Sequence, residues 1–447
     1  MTTNGRAARI NLLDFRSPPM RAFHMSWLAF FLCFFAWFGV APLMGVIRKE
    51  MALTKDQVGW CIIGSVAITV IARMAIGRLC DRFGPRRTYA ALLVLGSLPV
   101  MGIGLARDFP TFLLFRVLIG SIGAAFVVTQ YHTSVMFAPN CVGTANATTA
   151  GWGNFGGGVT QIVMPLVFTL FATTLGLGEF WGWRVAMVCA GLLCLAAGVA
   201  YYLLTRDTPE GDLVDLRARG VLPPSKSLAG SFRMAAGDRR VWLLAVAYAA
   251  CFGVELTMDN IAALYYADEF GLGLGAAGLA AGSLGLLHIF ARTLGGYISD
   301  RAGGRSGLDG RVTWLFVALL VEGIALLAFS RMTTLALAIP AMLLFGLFMK
   351  MAEGATYAVV PFVNKKALGS VAGIVGAGGN AGAVLAGFLF RGAIAWSTAL
   401  AVLGVIVAAS SFLVLAVRFS PEAKAEAGRE FEAAAARRRP ELAPATA

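Results

Sequence analysis

Two arginines stand inside otherwise apolar stretches, Arg73 in VAITVIARMAIG and Arg292 in GLLHIFARTLGG. Insertion scales put the cost of an arginine at mid-membrane at about 2.5–3.5 kcal/mol, so such a residue normally faces a cavity or a partner. Its fork of N–H donors matches two oxygens of a planar oxyanion at once, and it keeps its charge at any pH. Each arginine stands eight residues before an aspartate, Asp81 and Asp300, and both pairs are offset by 219 residues (292 minus 73, 300 minus 81). Two guanidiniums at equivalent positions of a repeat point to a central anion site. The plainer alternative is that each pairs with a carboxylate and holds helices together.

A second repeated pair supports the first. Asn154 in AGWGNFGGGVTQ and Asn380 in GIVGAGGNAGAV are offset by 226 residues (380 minus 154). Gly153 and Gly157, and Gly378 and Gly382, fall at i and i+4, a spacing that lets helices pack backbone to backbone. Helix packing accounts for the glycines. The two amides are left as donors to an anion that a pair of guanidiniums would satisfy only in part.

These residues need helices that cross a bilayer. Of 447 residues, 58% are hydrophobic and 14% charged, with a mean hydropathy of +0.75, too apolar for a soluble surface. Apolar runs fall at about 26–47, 57–79, 88–106, 109–138, 144–174, 183–204, 241–267, 276–299, 312–330, 333–361, 370–391 and 394–418, each long enough to span. The fold class expected is an all-α membrane protein, twelve transmembrane helices in two pseudo-symmetric six-helix bundles. Residues 1–25 form a cytoplasmic N-terminal segment, 26–204 and 241–418 the bundles, 205–240 a cytoplasmic linker and 419–447 a cytoplasmic tail that is either a surface helix or disordered.

The formal charge of +13 does not indicate nucleic acid, because the basic residues lie between apolar runs and form no groove-like patch. With a cytoplasmic N-terminus, about 25 of the 37 Lys and Arg fall in cytoplasmic segments, as the positive-inside rule requires. Both termini are expected inside, in the plasma (inner) membrane. Seven scattered cysteines and three histidines on separate segments (His24, His132, His288) suggest neither disulfides nor a metal site. No nucleophile–base set or phosphate loop is present, so neither an enzyme nor a cofactor is expected.

The segment GRLCDRFGPRR, with Gly77, Asp81, Arg82, Gly84, Arg86 and Arg87, resembles the signature loop of the major facilitator superfamily. It reads as a gating loop in which Gly77 permits close approach and Asp81 pairs with bases or a helix N-terminus; Asp300 is its counterpart. The glycine-rich stretches, the opening LLDFRSPPMRAFHMSWLAFFLCFFAWFGVAPLM and the stretch FGVELTMDN resemble the nitrate/nitrite porter family of that superfamily, in its assimilatory branch, from about residue 13 to 418. The resemblance implies that Arg73 and Arg292 bind nitrate or nitrite, with Asn154 beside them; Asn380, Gly153, Gly157 and Gly378 complete the substrate-binding residues expected. It also implies that Phe126, on pattern alone core filler, stacks on the flat anion. The seventh helix departs from members that present an aromatic and no acid there, because it carries Glu255 and Asp259.

Uptake of an anion against an inside-negative potential needs co-transported cations, and two protons per anion would reverse the charge moved. Glu255, Asp259, His288, Glu322 and Glu353 are candidate carriers, His288 lying four residues before Arg292 on the same helical face. Lys350 and Glu353, at i and i+3, can instead neutralise each other. The expected function is nitrate or nitrite import by alternating access, as a proton symporter or, alternatively, a nitrate/nitrite antiporter. A facilitator for another small anion and a nitrate sensor without transport are the remaining rivals.

Overall fold

The computed structural model describes residues 5–222, 228–272, 274–390 and 394–442. Residues 223–227 of the expected linker and 443–447 of the expected tail lie outside them. Among the described residues there is no strand, only isolated bridges at Ala7–Phe137 and Thr208–Gly211. Large apolar side chains such as Ile71, Leu95, Leu98, Leu166 and Leu385 remain exposed, as a lipid-facing surface requires.

The first half holds α1 (Pro18–Phe38), α2 (Lys55–Phe83), α3 (Pro85–Gly102), α4 (Phe109–Gly120 and Ala125–Met136, joined by the tight turn Ser121–Ala124), α5 (Val142–Thr169) and α6 (Gly178–Leu204). The second half holds α7 (Arg239–Phe270), α8 (Leu274–Leu286, continuing through Leu287–Ile289 into 291–305), α9 (308–329), α10 (Leu335–Val359), α11 (Leu368–Gly387) and α12 (Trp396–Val414). Eleven stretches are long and apolar enough to cross a membrane. One of them, Leu279–Phe329, holds both α8 and α9, which part at Ser306 and Gly307, so the stretches amount to twelve crossings.

Two expectations shift in detail. The apolar run at 26–47 is not one helix: α1 starts at Pro18 and ends before Gly39, and Met44–Glu50 forms a short helix after a 3-10 turn carrying Pro42, whose missing N–H interrupts the ladder. The GRLCDRFGPRR segment is mostly the last turns of α2. The chain reverses only at Gly84, whose φ of 85° suits glycine, and Pro85 opens α3. The tail forms a helix, Pro421–Leu442, tied to the second half by Lys365 on Glu426 and Glu430 and by Lys424 on Asp309.

The two aspartates of the repeat close one face of the molecule by the same device. Asp81, at the end of α2, accepts the N–H groups of Gly369 (2.8 Å) and Ser370 (2.9 Å) and the Ser370 hydroxyl (2.7 Å) at the N-terminus of α11 in the opposite half, and the hydroxyl of Ser231 in the short helix Leu228–Ala236 before α7. Asp300, at the end of the membrane-spanning part of α8, accepts the N–H groups of Gly143 (3.0 Å) and Thr144 (2.6 Å) and the Thr144 hydroxyl (2.7 Å) at the N-terminus of α5. A carboxylate there satisfies orphan helix donors and the positive end of the dipole. Gly77 lies against the Gly369 carbonyl and Gly296 against that of Gly143, where no Cβ would fit. Buried Arg311, which sequence reading passed over as one base in a charged turn, ties Asp300 (2.7 Å) to the Pro139 carbonyl of the first half (2.5 Å).

The remaining residues of the motif work beside this closure. The Arg86 N–H is accepted by Asp207 at 2.8 Å, its Nε donates to the Tyr202 carbonyl at 2.7 Å, and its Nη1 pairs with Asp212. Gly84 leaves room for the Asp207 carboxylate. The Arg82 carbonyl accepts from Arg217 at 2.6 Å, while its guanidinium lies over Phe83.

Candidate anion site

Contacts between the halves run from the closed face up to the level of the two arginines. Gly373 packs on the Arg73 backbone and Gly151 on the Arg292 side chain, so glycines in α11 and α5 bring the arginine-bearing helices α2 and α8 against the opposite bundle. Both arginine side chains are fully buried. Arg73 donates from Nη1 to the Gly376 carbonyl at 2.6 Å and from Nε to the Gly123 carbonyl at 3.4 Å. Arg292 donates from Nη1 to Glu353 Oε2 at 2.6 Å and from Nη2 to the Tyr248 hydroxyl at 3.0 Å. Arg73 Nη2 and Arg292 Nε have no partner among the described residues.

One ring joins them. The Arg73 guanidinium carbon lies 5.0 Å and that of Arg292 5.3 Å from the centroid of Phe126, within cation–π range. Across the half-to-half boundary Phe126 is nearly parallel to Tyr248 and Phe252 of α7 (13° and 9°, centroids at 5.7 and 6.3 Å), and Tyr357 of α10 meets it edge-on at 4.8 Å. A flat anion between two rings needs them about 7 Å apart, two van der Waals contacts of about 3.5 Å each. In this conformation the rings are therefore too close to sandwich a flat anion.

The aromatics of α7 correct a reading from sequence. That helix does present aromatic faces to the centre, through Tyr248 and Phe252, and Glu255 and Asp259 lie further along it, beside rather than in place of them. Tyr248, Phe252 and Tyr357 were missed because aromatics at helical spacing look like core packing. Only their position opposite Phe126 marks them.

The amides behave differently from each other. Asn154 is 6% exposed and neither amide atom has a partner among the described residues; it stands one turn along α5 from Gly151, the residue packed on Arg292. Asn380, one turn from Gly376, reaches back to the Val66 carbonyl at 3.4 Å, with its Oδ1 unpartnered. Of the glycines, Gly153 packs on Phe30 and Gly157 on Phe34 and Phe38 of α1, while Gly378 and Gly382 pack on the α7 backbone at Ala245 and Ala249. These four bring helices together and do not line the anion site directly.

The acids form one connected cluster with different partners from those expected. Lys350 does not neutralise Glu353: its Nζ lies 2.7 Å from Glu255 Oε1, while Glu353 is held by Arg292. His288 sits in the tight turn Leu287–Ile289 rather than on a regular face with Arg292. Its Nε2 is 2.8 Å from Glu255 Oε1 and 2.7 Å from Lys350 Nζ, and its Nδ1 is 2.9 Å from the Gly285 carbonyl. The carboxyls of Glu255 and Glu353 are in hydrogen-bonding contact. Asp259 is exposed on α7. Glu322 of α9 is fully buried, and neither of its carboxyl oxygens has a partner among the described residues. No group of three or more His, Cys, Asp or Glu that could hold a metal occurs among the described residues.

Comparison with known proteins fits this architecture. The Major Facilitator Superfamily profile matches residues 26–361. The chain is 38% identical over 420 residues to the high affinity nitrate transporter 2.5 of Arabidopsis thaliana, covering 93% of this chain and 82% of the relative. It is 36% identical to nitrate transporter 2.2 of Chlamydomonas reinhardtii (89% and 78% covered), and 29% identical to the nitrate/nitrite transporter NrtP of Nostoc punctiforme (83% and 86%). Among solved structures, the proton:xylose symporter XylE superposes with a TM-score of 0.70 at 15% identity, over 93% of this chain and 99% of that one. The chain thus belongs to the Major Facilitator Superfamily, in the family of the nitrate transporters that it matches along most of its length.

Proposed function

We propose that this protein imports nitrate, and nitrite, by alternating access, with Arg73 and Arg292 as the anion-binding pair and Glu353 as the group that links binding to protons. The observation that carries the reading is the pair of buried guanidiniums, one from each half, that share contact with Phe126 and each keep an unpartnered N–H. Asn154, with both amide atoms free, is a further donor, and Phe126 covers the anion from one side once the halves part enough to admit it. The closed face, with its two aspartate clamps, is the cytoplasmic one, and the termini, the linker and the tail lie on that side of a plasma membrane. Residues 26–204 and 241–418 are the bundles that rock about the site.

The charges favour proton coupling. In the empty site Glu353 neutralises Arg292, so an anion must displace a carboxylate or meet it protonated. Exchange draws support from Arg73, which pairs with carbonyls and with no carboxylate among the described residues, so that an empty site bears net positive charge. Purified protein in liposomes distinguishes the two. Symport predicts nitrate accumulation driven by an inward proton gradient with no anion inside; uptake that strictly requires internal nitrite and ignores the gradient would leave exchange.

A further inference from the structure

We infer that Glu255, held between His288 and Lys350, passes protons between Asp259, exposed on α7, and Glu353 at the anion site. The inference rests on the proposed coupling at Glu353 and adds the route by which the proton arrives. Hydrogen-bond geometry carries it. His288 Nδ1 faces the Gly285 carbonyl at 2.9 Å, so that nitrogen carries a hydrogen. The other ring nitrogen then meets two groups, the Lys350 ammonium at 2.7 Å and Glu255 Oε1 at 2.8 Å. Lys350, with three donors and no acceptor, donates to both the bare Nε2 and Oε1, so an arriving proton meets two adjoining acceptors, the ring nitrogen and the carboxylate oxygen.

The same reasoning applies one step inward. Glu255 and Glu353 interact side chain to side chain, and Glu255 Oε2 and Glu353 Oε1 have no donor among the described residues, so either carboxyl can take a proton passed between them. Glu255 therefore has one oxygen committed to His288 and Lys350 and the other without a donor among the described residues, the arrangement of a relay. Asp259 stands four residues on, on the same face of α7 and within electrostatic reach of Lys350, Glu255 and His288. The ammonium of Lys350, fully buried, keeps the relay from collecting uncompensated negative charge.

A proton taken up by the Asp259 carboxylate moves to the Glu255–His288 contact, then to Glu353 Oε1. Glu353, once neutral, loosens its hold on Arg292, whose Nη1 becomes free for the anion; no bond other than O–H or N–H changes. Among the described residues, the other charged or titratable groups facing the relay are Arg292 on α8, Cys251 and Tyr248 on α7, and Glu322 on α9.

Glu255→Gln and His288→Gln keep size and hydrogen bonding but cannot relay a proton. In liposomes, each proton coupled to uptake multiplies nitrate accumulation about tenfold per unit of pH gradient. Both variants are expected to lose about that factor, while nitrate-for-nitrate exchange at uniform pH persists. If both keep wild-type gradient-driven accumulation while Glu353→Gln loses it, the relay is wrong and coupling at Glu353 stands; if the wild type itself ignores the gradient, the coupling reading fails instead. Should the buried variants not fold, Asp259→Asn, at a solvent-accessible position, tests the same route. It is expected to slow proton entry seen with a trapped pH dye, and a wild-type rate would overturn the route.

Discussion

Replacing Glu353 by glutamine removes one negative charge from a fully buried ion pair and leaves the side chain's shape. In the empty protein the Arg292 guanidinium then keeps the Tyr248 hydroxyl but loses its counter-ion at 2.6 Å. Breaking a buried pair in this way costs about 3–5 kcal/mol, so the empty variant should melt markedly lower than the wild type. Nitrate supplies the missing charge. Because the anion no longer competes with a carboxylate for a charge-assisted hydrogen bond of about 1.5–3 kcal/mol, its Kd should fall about 10- to 100-fold. Calorimetric titration and nitrate-dependent melting in detergent measure both effects, and proton-driven accumulation should vanish in the same variant. Wild-type affinity together with intact gradient-driven uptake would refute the claim that Glu353 and the anion compete for Arg292.

Three further outcomes follow from the geometry. Arg73→Lys and Arg292→Lys each lose the planar fork, since a lysine nitrogen that replaces one carbonyl or carboxylate contact leaves nothing for the anion; uptake should drop by about 100-fold or more, two charge-assisted bonds' worth, with normal amounts of protein in the membrane. Asp300→Asn keeps one acceptor where Gly143, Thr144 and Arg311 need two oxygens. The closed face should loosen by about 2 kcal/mol, seen as faster hydrogen exchange at the Gly143 and Thr144 amides. Glu322→Met removes a buried carboxyl without partners and should raise the melting temperature or leave it unchanged while transport continues; a folded but inactive variant would place Glu322 among the proton carriers.

What the sequence made legible was set by position within apolar helices. An arginine in the middle of a spanning stretch has few roles, so Arg73 and Arg292 declared themselves, and the repeat tied them together. The same repeat carried the clamps: Asp81 and Asp300, offset by 219 residues, grip the N-termini of α11 and α5 at Gly369 and Gly143, which share the 226-residue offset of Asn380 and Asn154. Pairing inside the second half was not legible. Spacing along α10 put Lys350 beside Glu353, but at mid-membrane a fully desolvated charge takes its partner from whichever helix supplies the shortest contact, and those were Glu255 on α7 and Arg292 on α8. The aromatic wall was hidden for another reason. Tyr248, Phe252 and Tyr357 differ from core aromatics only in what they face across the boundary between halves.

The central claim is that the two unpartnered guanidinium N–H groups receive the anion. A structure determined with nitrate bound tests it most directly. The anion should lie against Phe126 with its oxygens about 2.9 Å from Arg73 Nη2 and Arg292 Nε. Nitrate density lodged elsewhere in the protein, with Arg73 still on the Gly376 carbonyl and Arg292 still on Glu353, would contradict it.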